Sequence, residues 1–286
     1  MDRCARSLLF VPGHRPERFA KALASGADLV CIDLEDAVPL QEKVSAREAV
    51  RAFLATCSQA DLQRLVIRVS AANGEHCNLD LKVLADCPRP AFFMLAKTES
   101  PQQLSYVSAA LATGPQRWIG LIESPRGLLN ADAICASQAL SAVMFGGGDY
   151  AAELGATFAW EPLLIARSQL AMVAAAHNLP CIDVPYLDIQ NPAGLSEETR
   201  RVCALGYSAK AAIHPCQLEA IHLALAPTEA EVQGAKKIID AFVAADGGAV
   251  TVDGRMVDQP IVESARRLLA RVANVVSNVE KTETVE

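Results

Sequence analysis

Short apolar runs recur along most of the chain, at 7–11, 29–33, 65–69, 91–95, 118–122, 142–145, 181–183 and 209–213, with helix-patterned stretches between them. Runs of this length, bounded by turn-forming and charged residues, predict buried strands. Apolar positions at helical spacing predict helices over 16–25, 41–56, 161–177 and 196–205. Pro16 stands near the start of the first and Gly26 just past its end, while Ser196-Glu-Glu opens the last, which stops before Gly206. Such alternation predicts a parallel sheet, and eight strands close a (β/α)8 TIM barrel of about 250 residues. The competing doubly wound sheet places a G-x-G-x-x-G loop after its first strand. Here that strand runs into Val11-Pro-Gly-His-Arg-Pro16. The expected fold is α/β: a TIM-barrel catalytic domain over 1–225, then a C-terminal helical and lid extension over 226–286.

In the extension a helix is expected from Pro227-Thr-Glu, a break at Asp246-Gly-Gly248, a short segment over 250–260 and a last helix over 261–276. The polar tail 277–286 is expected to fray. A Gly-flanked segment placed after a finished barrel suits a lid, an arm onto a neighbour, or a surface extension packed outside.

Charge stands at the ends of the strand-like runs. Asp33, Glu35 and Asp36 close the second run, Arg68 sits inside the third, and Lys97 and Glu123 follow the fourth and fifth. The sixth passes through Gly146-Gly-Gly148 into Asp149, and Asp183 and His214 end the last two. In a parallel barrel all carboxyl ends open on one face, where the chemistry is built. The pattern therefore predicts one charged pocket.

Composition narrows the partners. Hydrophobic residues are 51% and aromatics 5%, enough for a large aliphatic core. A net charge of -7 argues against nucleic-acid binding, although a local basic cluster can still hold an anion. The N-terminus has no apolar signal core and no run reaches the length of a membrane span, so a soluble cytoplasmic protein is expected. The nine cysteines form no C-x-x-C pair, and Cys31, Cys135 and Cys181 sit inside apolar runs. They read as reduced thiols rather than as a disulfide framework or a zinc site.

Glu123 and Asp149 are the candidate metal ligands, because two carboxylates from neighbouring strand ends can hold Mg²⁺ while water and substrate oxygens complete its shell. The alternative is that both are helix caps or first-turn acids. Gly147 and Gly148 let backbone N–H groups approach an anionic ligand. Arg68 needs a partner inside its apolar run: a ligand carboxylate, or internally Glu35, Asp36 or Glu123. Lys43 and Arg47 are placed to offset the Asp33, Glu35 and Asp36 cluster, which reads equally as a structural ion network. Lys97 could meet a substrate or an acid, and its acidic surroundings argue against a Schiff base. His214 reads as a strand-end histidine locked by a hydrogen bond rather than as a base. No G-x-S-x-G elbow and no P-loop are present.

Arg6-Ser-Leu-Leu-Phe-Val-Pro-Gly13 with Arg15-Pro16, Gly26-Ala-Asp-Leu-Val-Cys-Ile-Asp-Leu-Glu-Asp-Ala-Val38, Lys43 and Ala46-Arg47 resemble the citrate lyase β-subunit-like (CitE-like) branch of the HpcH/HpaI aldolase family. The resemblance continues through Ile67-Arg-Val69, Ala96-Lys-Thr-Glu-Ser100, Leu121-Ile-Glu-Ser-Pro-Arg-Gly127, Phe145-Gly-Gly-Gly-Asp149, Gly206-Tyr-Ser-Ala-Lys-Ala-Ala-Ile-His-Pro215 and Gly254-Arg-Met-Val-Asp258. It implies a Mg²⁺-dependent TIM barrel that cleaves or forms the C–C bond of a 3-hydroxyacyl-CoA such as citramalyl-CoA, malyl-CoA or citryl-CoA, giving acetyl-CoA and a 2-oxoacid. Glu123 and Asp149 match the family's metal ligands, and Arg68 its substrate-carboxylate arginine. Glu35 and Asp36 match the acidic pair near the metal, and Asp258 the catalytic lid aspartate. Arg15, Lys97, Glu123, Gly147 and Gly148 complete the expected substrate contacts. A homotrimer or hexamer is implied. Ser70, Ala96, Ser124-Pro125 and Tyr207-Ser-Ala209 depart from the family pattern, and none removes a metal ligand. The alternatives are a class II-like aldolase acting on free 2-oxoacids and a β-like subunit active only inside a larger lyase complex.

Overall fold

The computed structural model describes residues 5–72, 74–111 and 116–283. The extreme N-terminus and the last residues of the tail, both read above, lie outside these. Eight parallel strands form in chain order: β1 (Ser7–Pro12), β2 (Leu29–Asp33), β3 (Leu65–Val69), β4 (Phe92–Leu95), β5 (Trp118–Ile122), β6 (Leu140–Phe145), β7 (Cys181–Asp183) and β8 (Ala209–Ala212). Each pairs with the next and β8 returns to β1, so the barrel is closed. The expected strand bounds hold to within two residues.

Period-two alternation decides what each strand points inward. One buried cluster draws on every strand: Leu8, Cys31, Val66, Met94, Leu121, Met144, Ile182 and Ala211 among others. A cluster shared by all the strands of a closed barrel is its interior. The intervening residues, such as Val30, Ile67, Phe93, Trp118 and Val143, are buried against the surrounding helices. Those helices include Lys43–Thr56, Pro101–Ala110, Trp160–Ala176 and Pro192–Ala204. Ser100 caps the second of them with a full capping box, a device worth about 1 kcal/mol.

The chain divides into two compact units, Met1–His222 and Leu223–Glu286. Within the second, helix Glu229–Ala244 is followed by a hairpin of β9 (Val250–Val252) and β10 (Arg255–Val257), and then by helix Gln259–Glu283. The hairpin turns on Asp253 (φ 49°) and Gly254 (φ 76°), the positive-φ pair that a two-residue type I′ turn requires. Phe242, Val252, Val257 and Val262 form this unit's own apolar cluster. The last helix continues to Glu283 instead of ending near 276. Among the described residues no helix is long and apolar enough to cross a membrane, and no cysteine is in a disulfide.

Candidate active site at the carboxyl ends of the strands

The inward series ends in charge at the carboxyl ends of the strands. Asp33 follows Cys31 by two residues, Arg68 follows Val66, and Glu123 follows Leu121. The same alternation that fills the barrel with Leu, Val and Met therefore lays three charged side chains over its upper layer.

Asp33 and Arg68 are partners across the β2–β3 ladder. Arg68 Nε donates to Asp33 Oδ1 at 2.6 Å and Nη2 to Oδ2 at 2.6 Å, a two-pronged pair. Its Nη1 lies 3.4 Å from Glu35 Oε2, and the guanidinium stacks over Phe10 at 5.2 Å. Asp33 also accepts the Glu35 N–H at 2.8 Å and the Ala37 N–H at 2.9 Å. Burial alone would raise its pKa, but the Arg68 guanidinium wins and holds it below the ordinary carboxylate value. Lys43 fixes the next turn, donating from Nζ to the Leu34 and Glu35 carbonyls at 2.6 Å each.

On the other side of the mouth, Lys97 joins the two candidate ligands. Its backbone N–H donates to Glu123 Oε1 at 2.7 Å, and its Nζ lies 3.0 Å from Asp149 Oδ2. Lys97 has φ 48°, a left-handed conformation that costs a non-glycine residue about 1–3 kcal/mol, and its N–H bond to buried Glu123 helps hold it there. The hydrogen bond to Asp149 raises the Lys97 pKa, so the lysine stays an ammonium, as its acidic surroundings led us to expect. Asp149 lies in the first turn of helix Gly147–Leu154. Gly146 is required by contact: a Cβ there would come within 2.3 Å of Glu123 Cβ and 2.8 Å of Oε2. Ser124 donates to Glu99 at 2.6 Å and accepts the Gly127 N–H at 3.0 Å, fixing the turn just after Glu123.

The mouth holds more acid than base. Burial pushes Glu35 up to about 8, with neighbouring Asp36 and Glu123 adding to the rise against the pull of Arg68. Burial likewise pushes Glu123 up to about 7, with Asp149 and Asp36 adding to it. Carboxyls forced toward neutrality in an oxygen-rich pocket are short of positive charge, and a hard divalent cation fits that need. Among the described residues no three Asp, Glu, His or Cys side chains form a complete metal cage. A cation here would take one or two carboxylates and complete its shell with water and substrate oxygens, as Mg²⁺ does.

The other predicted residues fall as follows. Asp36 is exposed, its N–H donating to Glu35 Oε2 at 2.8 Å. Arg15, just past β1, is exposed and paired with Glu17 at 2.7 Å. Gly147 is buried, and a Cβ there would press on Phe145, Phe158 and Leu163, whereas Gly148 opens to free space. Asp258 lies between β10 and the last helix, in the second unit, partly buried. His214 is exposed, with Nδ1 2.9 Å from Cys216 Sγ and accepting the Cys216 N–H at 3.2 Å. Two expectations from spacing need correction. Arg47 turns away from the acidic loop to a buried pair with Asp80 at 2.6 Å, because its helix face looks toward helix Glu75–Leu84. Asp183 has the opposite alternation from Ile182 and lies outside the barrel wall, against Arg167 and Lys210.

Residues 6–215 match the family model for HpcH/HpaI aldolase/citrate lyase. The citrate lyase subunit beta of Haemophilus influenzae is 33% identical, over 93% of this chain and 96% of that protein. The (3S)-malyl-CoA thioesterase of Cereibacter sphaeroides is 33% identical, over 93% and 94%. The crystal structure of CitE from Mycobacterium tuberculosis in complex with magnesium, acetoacetate and coenzyme A superposes with a TM-score of 0.83 at 34% identity, covering 95% of this chain and 99% of that one.

Proposed function

The chain belongs to the HpcH/HpaI aldolase/citrate lyase family, and from that premise we propose how its strand-end residues work. The protein is a magnesium-dependent carbon–carbon lyase acting on CoA-thioester substrates. Its reaction, in our reading, cleaves or forms the C–C bond of a 3-hydroxyacyl-CoA such as citramalyl-CoA, malyl-CoA or citryl-CoA, with acetyl-CoA and a 2-oxoacid on the other side. The observation that carries this reading is the buried excess of acid around Glu123 and Glu35 beside one arginine that keeps a small part of its side chain exposed. That combination suits a cation together with an anionic substrate.

Glu123 and Asp149 would hold the magnesium. Bound there, it supplies Lewis-acid stabilisation of the negative charge that develops on the acyl oxygens. Arg68 binds a substrate carboxylate or the thioester oxygen through the edge that Asp33 leaves turned to the mouth beside Glu35. Glu35 and Asp36 orient water at the mouth. Lys97, Arg15 and the backbone of Gly147 and Gly148 contact the anionic ends of the substrate. Asp258, carried by the 226–286 extension acting as a lid, protonates the departing acetyl-CoA enolate, or removes that proton in condensation. A homotrimer or hexamer in the cytoplasm completes the reading.

The purified chain alone, assayed on a panel of 3-hydroxyacyl-CoA esters with and without Mg²⁺, tests this. Acetyl-CoA release that a chelator abolishes is expected, and Asp258→Ala should lower kcat about 10²-fold or more while CoA-ester affinity is kept. A second reading is favoured by the likeness to a citrate lyase subunit beta: a chain active only within a larger complex. Silence of the purified chain on every ester would support that one.

A further inference from the structure

We propose that Asp33 is a positioning residue: it grips one edge of the Arg68 guanidinium, turns the other edge to the mouth, and ties that edge to the Glu35–Asp36 loop. The inference rests on the reading of Arg68 as a substrate-binding residue. Asp33 is fully buried, and its carboxylate accepts four hydrogen bonds from donors of two kinds. Oδ1 takes Arg68 Nε and the Glu35 N–H, and Oδ2 takes Arg68 Nη2 and the Ala37 N–H. A guanidinium offers its donors in a rigid fork, so a grip on Nε and Nη2 fixes the direction of Nη1. Nη1 is the group 3.4 Å from Glu35 Oε2, and the Phe10 ring beneath fixes the plane.

The anchor is itself clamped. The Gly13 N–H donates to the Asp33 carbonyl at 2.8 Å, and a Cβ at Gly13 would come within 2.6 Å of that oxygen. One carboxylate thus sets the angle between the arginine that would meet substrate and the acidic loop beside it. An ion pair serving stability alone could be replaced by packed apolar side chains without loss. This one is placed on the top interior layer, where its orientation reaches the reacting groups. Asn at position 33 keeps the shape but turns one acceptor into an amide donor, facing donors of Arg68 and of the loop.

Steady-state kinetics on the CoA ester turned over by the wild type, with Asp33→Asn, Arg68→Ala and the double variant, test the proposal. Asp33→Asn is expected to raise KM about 10- to 100-fold, the scale of losing one hydrogen bond to a charged group, with a smaller change in kcat. The double variant should be no worse than Arg68→Ala, because the effect of Asp33 passes through the arginine. Wild-type kinetics for Asp33→Asn beside a crippled Arg68→Ala would overturn this inference and leave the role of Arg68 standing. Wild-type kinetics for Arg68→Ala would remove both. If Asp33→Asn does not fold, Arg68→Lys, which keeps the charge and loses the fork, must show the same rise in KM; a KM at the wild-type value overturns the proposal.

Discussion

Two groups of charged side chains sit on the two sides of one barrel wall. Outside it, between β7, β8 and their helices, Lys210 Nζ lies 2.6 Å from Asp183 Oδ2, 2.8 Å from Glu198 Oε1 and 2.8 Å from the Val184 carbonyl. Arg167 pairs with the same Asp183 at 2.9 Å and stacks over Trp160 at 4.9 Å. Two cations face two anions. At the mouth, five acids, Asp33, Glu35, Asp36, Glu123 and Asp149, outnumber the cations beside them, Arg68, Lys97 and the Lys43 ammonium under the loop. Burial alone does not separate them, because Asp33, Glu35 and Glu123 at the mouth are as buried as Asp183 and Lys210 outside. Charge balance does: the outer group matches two cations to two anions, and the inner one asks for something from outside. A self-sufficient ion network reads as architecture, and a lopsided one reads as a binding site.

The sharpest way to break the contrast is to remove charge from each side in turn. Glu123→Gln should lower kcat/KM about 10³-fold and abolish calorimetric Mg²⁺ binding, while Tm holds or rises because a strained buried carboxyl is gone. Lys210→Met should do the reverse, lowering stability to denaturant by about 3–5 kcal/mol, since Asp183 is left short of its partner, with kcat of the folded fraction close to wild type. A loss of Mg²⁺ affinity in Lys210→Met would erase the distinction.

The smallest expected effect is a pH dependence. Glu123 and Glu35 sit near 7 and 8 against an ordinary value of 4.5. The folded, cation-free protein therefore binds more protons than the unfolded chain between 4.5 and those values, and stability falls as pH rises through that window. If Glu123 holds Mg²⁺ as proposed, the ion must displace that one proton, so its affinity should drop by about tenfold per pH unit below 7. Calorimetric titrations between pH 6 and 8, with thermal melts alongside, check both slopes; a flat Mg²⁺ affinity would show that the raised carboxyls lie off the cation site.

The barrel was legible because the strand-like runs are short and apolar and each ends in punctuation. Runs 29–33, 65–69, 118–122 and 181–183 coincide with β2, β3, β5 and β7. The gathering of Arg68, Lys97, Glu123 and Asp149 was legible from one rule, that parallel strands share an end. What spacing did not resolve was facing. Asp183 and Asp33 look alike as acids closing a run, and only the count separates outside from inside: Asp183 stands one residue after inward Ile182, Asp33 two after inward Cys31. That count was available in the sequence, and so was the Asp253-Gly254 turn signal of the hairpin. The contact that demands Gly146, and the bond from the Lys97 amide to Glu123, depend on how loops fold over one another, which no local pattern encodes.

The placement of Arg68 by alternation has a consequence for how such a protein can vary. Lengthening or trimming the loops leaves every strand in step. Deleting one residue inside Leu65–Val69 would send the guanidinium under the helices and an isoleucine or valine to the mouth. Lineages descended from this chain should therefore differ freely in loop length, yet keep the count from the barrel floor to Arg68 fixed.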